Sequence, residues 1–207
     1  MIKTQVDPYD IWTKYDPHKY FEQTTRSDVE ITAVWSFLRY GRTTTRYKDR
    51  YNIHIGGECG DFYDTDFLIY NDVIVDDGAG RVWIYAYPKD IFPPTDFHSA
   101  TLLGDDYGQI PQTLEDSILI VGCAGYQDER YFWETPVFRL DLKEMSIERI
   151  ETSGEYPGWI LEHRASLEDG GKLVISGGKI LDEQDKSNPN LNRFELDLWT
   201  RKWTKYA

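Results

Sequence analysis

The sequence predicts an all-β fold assembled from one four-stranded unit used three times. Three observations carry that prediction. Between residues 95 and 153 the chain makes four short strokes, 98–102, 118–123, 137–142 and 147–152. Each is rich in β-branched or large apolar residues and bounded by Gly, Pro, Asp or Ser, as strands are. The same four strokes return at 163–167, 173–178, 193–198 and 202–206, and in altered form at 43–47, 51–57, 67–73 and 82–87. The registers agree as well: from the first glycine of the second stroke to the middle of the fourth is 27 residues (Gly56 to Trp83), 27 (Gly122 to Arg149) and 26 (Gly177 to Trp203). Repeat-to-repeat steps are uneven because the second repeat carries a polar insertion at 105–116.

Before the first repeat, residues 1–30 hold Tyr9, Trp12, Tyr15, Tyr20 and Phe21 among charged residues without clear periodicity. They read as an irregular arm, or one short helix around 17–23 started by Asp16-Pro17, lying against the body to bury its aromatics. Residues 30–38 alternate (Ile31, Ala33, Trp35, Phe37 against Glu30, Thr32, Ser36) and read as a strand standing where the last strand of a repeat would stand. The organisation expected is therefore a single domain over 1–207, with arm and strand at 1–38 and repeats at 39–94, 95–158 and 159–207.

Composition limits what such a fold could do. With 23 Lys and Arg against 36 Asp and Glu, the net charge of -13 excludes a generic binder of the phosphate backbone, so nucleic acid is not an expected partner. No apolar run reaches the length of a signal peptide or a membrane span, so neither is expected and a cytoplasmic location follows. Cys59 and Cys123 lie outside any metal-binding spacing and are expected as free thiols.

The strokes resemble kelch repeats. The carrying features are the Ile/Val-rich strand ending in Gly56-Gly57 and Gly177-Gly178 (degenerate as Gly122-Cys123), the Phe-x-Leu-Asp-Leu strands at 138–142 and 194–198, and the late aromatics Trp83 and Trp203. The resemblance covers residues 42–206. It implies a β-propeller whose blades are four-stranded antiparallel sheets. Three blades are fewer than a closed propeller needs, and a lone blade cannot bury both faces. The terminal blades need cover from a second chain joined head to tail, from the aromatic arm, or from the rest of a longer chain.

In the propeller reading the loops 58–66, 125–136 and 179–190, between second and third strands, open on the same face as the inter-repeat loops 39–42, 88–97 and 153–162. Phe92, Tyr126, Arg130, Trp133, Trp159 and Arg164 sit in or beside them and look exposed; Trp, Tyr and Arg are the usual anchors of protein interfaces. A competing reading folds Phe92, Trp133 and Trp159 back over their own blades. His98 and His163 occupy matching positions, which favours a structural, hydrogen-bonded role; with Arg42 and Asp96 they are the candidates for a ligand at a channel mouth. His54 reads as a side chain between blades, and His18 as a surface residue. The loop 58–66 gathers four carboxylates but matches no EF-hand, and 72–80 reads as a hairpin tip with Asp76-Asp77-Gly78 as its turn. No nucleophile elbow, P-loop, dinucleotide fingerprint or zinc-protease motif is present. The expectation is a non-catalytic module, without cofactor or metal, that engages a protein partner through its long-loop face and can form a homodimer. The alternative is a sugar- or nucleotide-binding protein or enzyme.

Overall fold

The computed structural model describes residues 2–6, 37–59, 68–104 and 110–206. The strand expected at 30–38 (but for its last two residues), the short helix of the arm and the acidic loop beyond Cys59 fall outside them. The chain divides into two compact units, Met1–Asp96 and Phe97–Ala207. Every described regular element is a strand or a short 3-10 turn.

The first unit holds β1 (Ile2–Val6), β2 (Thr43–Tyr47), β3 (Tyr51–Ile55), β4 (Glu58–Cys59), β5 (Leu68–Ile69), β6 (Asp72–Asp76) and β7 (Val82–Ala86). Strands β2, β3, β6 and β7 form an antiparallel meander, and β1 adds a fifth strand against β7, from Ile2 opposite Ala86 to Val6 opposite Val82. That strand replaces the irregular start expected of the arm. A second correction concerns the third stroke. The stroke 67–73 is not one strand; it breaks at Tyr70 and Asn71, and the sheet strand begins only at Asp72. The break has a cause, since Tyr70 donates its amide to the Gly57 carbonyl, continuing the pairing of β5 with β4, and accepts from the Thr95 amide, while Asn71 donates to the Tyr87 and Phe92 carbonyls. Of the hairpin tip expected over 72–80, residues 72–76 belong to strand β6 and the turn lies at 77–80, where the buried Asp77 carboxylate accepts from the Ala79 and Arg81 amides at 2.9 and 3.0 Å. Tyr70, Ile74, Val82 and Ile84 make the core of this unit.

The second unit holds β8 (Ser99–Leu103), β9 (Ser117–Val121), β10 (Val137–Asp141), β11 (Ser146–Arg149), β12 (Ser153–Gly154), β13 (Trp159–Leu161), β14 (Arg164–Glu168), β15 (Lys172–Ser176), β16 (Lys179–Leu181), β17 (Ser187–Pro189), β18 (Arg193–Asp197) and β19 (Lys202–Tyr206). Strands β8 to β11 form one antiparallel meander; β14, β15, β18 and β19 form the next, with β12 running parallel to β19. A small sheet of β13, β16 and β17 sits beside them, and among the described residues no sheet closes on itself. The two meanders share a core: Leu119, Val121 and Val137 from one pack with Ile160, Leu173, Ile175, Phe194 and Trp203 around the other.

The repeated Phe-x-Leu-Asp stretch now has a physical meaning. Phe138 and Leu140, like Phe194 and Leu196, point into the core, and the following Asp turns the hairpin. The Asp141 carboxylate accepts from the Lys143 and Glu144 amides, both at 2.9 Å, and the Asp197 carboxylate from the Trp199 and Thr200 amides at 3.0 and 2.8 Å.

Pairing of first with second strands sets the equivalences between repeats. Thr43 faces Ile55, Ser99 faces Val121 and Arg164 faces Ser176. Hence Gly56, Gly122 and Gly177 occupy one position, each with positive φ (55°, 71° and 63°). Arg42, His98 and His163 occupy another, at the end of the segment that leads into each repeat. In the first two repeats the glycine corner receives the lead segment of the following repeat. A Cβ on Gly56 would stand 2.0 Å from the Thr95 carbonyl oxygen, and one on Gly122 would stand 2.3 Å from that of Ile160. Only glycine fits so close an approach of backbone to backbone.

Candidate functional site

In the second unit the loops expected to form one face are tied together. Arg130 donates to the Ala124 and Gly125 carbonyls at 2.8 and 2.9 Å and to the Asp185 carboxylate at 2.7 Å, which joins the loops 125–136 and 179–190. The Trp159 indole donates to the Ala124 carbonyl at 3.0 Å, and the Thr135 hydroxyl to that of Gly158 at 2.8 Å, which joins the inter-repeat loop to the first of these. Beneath them Cys123, Trp159, Leu161 and Leu181 form a small apolar cluster, with Phe97, Ala124 and Phe132 against it.

On this braced platform two aromatic side chains stand in solvent. Trp133 is 63% exposed and Tyr131 52%, their rings edge to face with centroids 6.0 Å apart. Tyr131 did not emerge from the sequence, although its place two residues from Trp133 in a turn that leaves alternate side chains outside was the available signal. Arg164, on the edge strand β14, is exposed as expected, and Tyr126 is half-buried.

Two of the expected anchors are corrected. Phe92 is fully buried, edge to face with Tyr87, and Trp159 is 5% exposed. Both lie on lead segments, which the fold inserts between sheet corners instead of leaving on the surface. Arg130 acts as a brace, its guanidinium spent on two carbonyls and a carboxylate of its own unit.

The four residues expected at a channel mouth fall in two units. In the first, Arg42 donates to the Phe37 carbonyl and lies 4.6 Å over its ring; burial, and then the neighbouring Arg39, lower its affinity for a proton. Asp96 is 1% exposed, and its charge adds to burial in raising the carboxyl of Glu58 above the usual range. At the centre of this corner is a pair the sequence did not reveal: the Arg39 guanidinium, its side chain wholly out of water, grips both carboxylate oxygens of Asp72, one at 2.9 Å, and lies 3.5 Å over the Tyr70 ring. No local pattern links Arg39 to Asp72, 33 residues apart.

In the second unit His98 and His163 are both buried, and the His163 Nε2 shares a hydrogen bond of 2.8 Å with the Ser99 hydroxyl. Burial pushes His163 from 6.5 down to about 4; burial, and then His163, push His98 down to about 3. Both are neutral at physiological pH. His54, in the first unit, is likewise pushed by burial to about 4 and hydrogen-bonds the Thr44 hydroxyl at 2.9 Å. Among the described residues no cluster of three potential metal ligands occurs, Cys59 and Cys123 are free thiols, and no helix is long and apolar enough to cross a membrane.

No family model and no curated protein matches the chain. Among solved structures, that of YjhT is similar, with a TM-score of 0.53 at 11% sequence identity over 80% of this chain and 50% of that one. At that identity the likeness shows the fold alone. The fold is thus of a known all-β type, and this chain spans about half the length of the structure it resembles.

Proposed function

We propose that the chain is a kelch-type β-propeller segment, its three meanders serving as blades, that binds a protein partner through the loop platform of its second unit. The observation that carries this reading is the Tyr131–Trp133 pair, exposed on loops that Arg130, Thr135 and Trp159 hold in place. Large aromatic side chains presented on a rigid base give up little conformational entropy on binding, which is why such residues dominate interface energetics. Arg164 supplies a charge on the edge strand β14, and the net charge of -13 favours a basic partner. His98 and His163 are buried, and His163 Nε2 and the Arg42 guanidinium are hydrogen-bonded inside their own units, which leaves this aromatic pair as the better-presented chemistry.

The test is quantitative capture from extract of the cells that express the protein, comparing wild type with a Tyr131→Ala, Trp133→Ala double variant of unchanged circular dichroism. The same captured protein should bind the variant at least tenfold more weakly. Equal capture by both would overturn the reading.

A further inference from the structure

In the second unit the strand registers show which face of one meander packs on which face of the next. Residues directly opposite one another on neighbouring strands share a face. Across β8, β9 and β10 one face carries Val121 opposite Val137 and, two places along, Leu119 opposite Thr101. With Leu103, these residues pack on the following meander, on the face that holds Ile175 opposite Phe194 and Leu196 opposite Trp203.

The third repeat presents the same outgoing face with different residues. Because Gly177 matches Gly122, Ser176 stands in the place of Val121, Arg193 in that of Val137 and Glu168 in that of Leu103. The three apolar side chains are at most 1% exposed, and all three replacements are exposed. Charges on this face are paired within it: Arg193 donates to the Glu168 carboxylate at 2.8 Å, and the Lys172 ammonium reaches Asp197 at 2.5 Å and Glu195 at 3.3 Å. The hydrogen bond from Lys172 comes first among the causes that push Asp197 down to about 2. Val174 lies on the diagonal from Arg193 to Glu168, so the arginine crosses it, and this one apolar residue of the face is 6% exposed.

The glycine corner of the same repeat agrees. Asn71 and Thr135 clasp the lead segments that follow them, donating to the Phe92 and Gly158 carbonyls, whereas their equivalent Leu191 is 89% exposed and none of the described residues lies within 4 Å of a Cβ built on Gly177.

Exposed ion pairs add little to the stability of a fold, so the exchange of three core residues for polar ones is not explained by stability. It does control what can stack there, since a further sheet would have to strip water from the ions of the whole ladder. We propose that the outgoing face of the third repeat is an end cap, a polar face of the kind that terminal repeats of stacked arrays need, on which neither a second copy of this chain nor another sheet of the same type packs.

Light scattering of the full chain over rising concentration tests the cap. Ser176→Lys should leave both the mass and the melting curve unchanged. The triple variant Glu168→Leu, Ser176→Val, Arg193→Val restores the apolar character of Leu103, Val121 and Val137, and its mass should rise about twofold or more with concentration. A fall in mass for Ser176→Lys, or a folded triple variant that keeps the wild-type mass, would overturn the proposal. If the triple variant does not fold, labelling decides: Ser176→Cys should react with a bulky maleimide within about tenfold of the rate of a cysteine in an unstructured peptide, at every protein concentration. Protection of that cysteine, constant or growing with concentration, would show the face to be covered and the cap to be wrong.

Discussion

The corners at Gly122 and Gly177 have the same backbone conformation, φ 71° and 63°, at the same place in consecutive repeats, and differ in what lies against them. At Gly122 the Ile160 carbonyl and the His163 ring occupy the space a side chain would need; at Gly177 none of the described residues enters that space. The comparison separates two reasons for a glycine that a sequence cannot tell apart. Both corners need positive φ, and only the filled one also needs the absence of a Cβ.

The largest effect expected follows from this separation. Gly122→Ala should destabilise the protein by roughly 3 kcal/mol or more, since strain from positive φ and a clash with backbone add. In dilute solution Gly177→Ala should cost only about 1–2 kcal/mol, the strain alone. Urea unfolding of both variants, followed by tryptophan fluorescence, measures the difference; equal losses would mean that the two corners are equally filled.

A smaller effect probes the clasp. Thr135→Val removes the hydroxyl that donates to the Gly158 carbonyl and should cost about 1–3 kcal/mol. At the open corner Leu191→Thr should change the stability of the dilute protein by less than about 0.5 kcal/mol. Thermal melts at micromolar concentration are sufficient to read both.

The third contrast is in protonation. Arg42, leading into the first repeat, keeps its charge, while His98 and His163 at the equivalent positions are held neutral. A histidine with a depressed folded pKa is protonated first in the unfolded chain. Stability is therefore fully present above pH 6.5 and declines as pH falls toward the folded values of about 4 for His163 and about 3 for His98. The loss should reach roughly 1–2 kcal/mol per histidine at pH 5. Urea midpoints of wild type and His163→Gln at pH 7 and 5 give the test, with the variant showing the shallower pH dependence.

Much of the architecture was legible because the repeat is written in side chains that act locally. The Gly pairs, the Phe-x-Leu-Asp turns and the alternating apolar strands each fix a short piece of backbone, and the piece 202–206 falls where its pattern places it. The third stroke of the first repeat was misread because the apolar run up to Tyr70 looks like the strand and Asn71-Asp72 like its end, whereas the sheet strand begins at Asp72 and Asn71 is held by the distant Tyr87 and Phe92 carbonyls. The same limit explains Phe92 and Trp159. An aromatic beside Pro or Gly looks like an exposed loop residue until a glycine 37 or 36 positions earlier is known to receive its segment. Arg39 and Asp72 carry no mark of each other in sequence. Leu191, by contrast, could have been found by setting the repeats in register, since it replaces the polar Asn71 and Thr135.

The measurement that bears most directly on the difference between the corners is hydrogen exchange at the Gly pairs. The Gly57 amide, donating to the Thr95 carbonyl at 2.8 Å, should be protected. The Gly178 amide, its equivalent in the third repeat, should exchange rapidly. Protection of Gly178 equal to that of Gly57 would contradict the account.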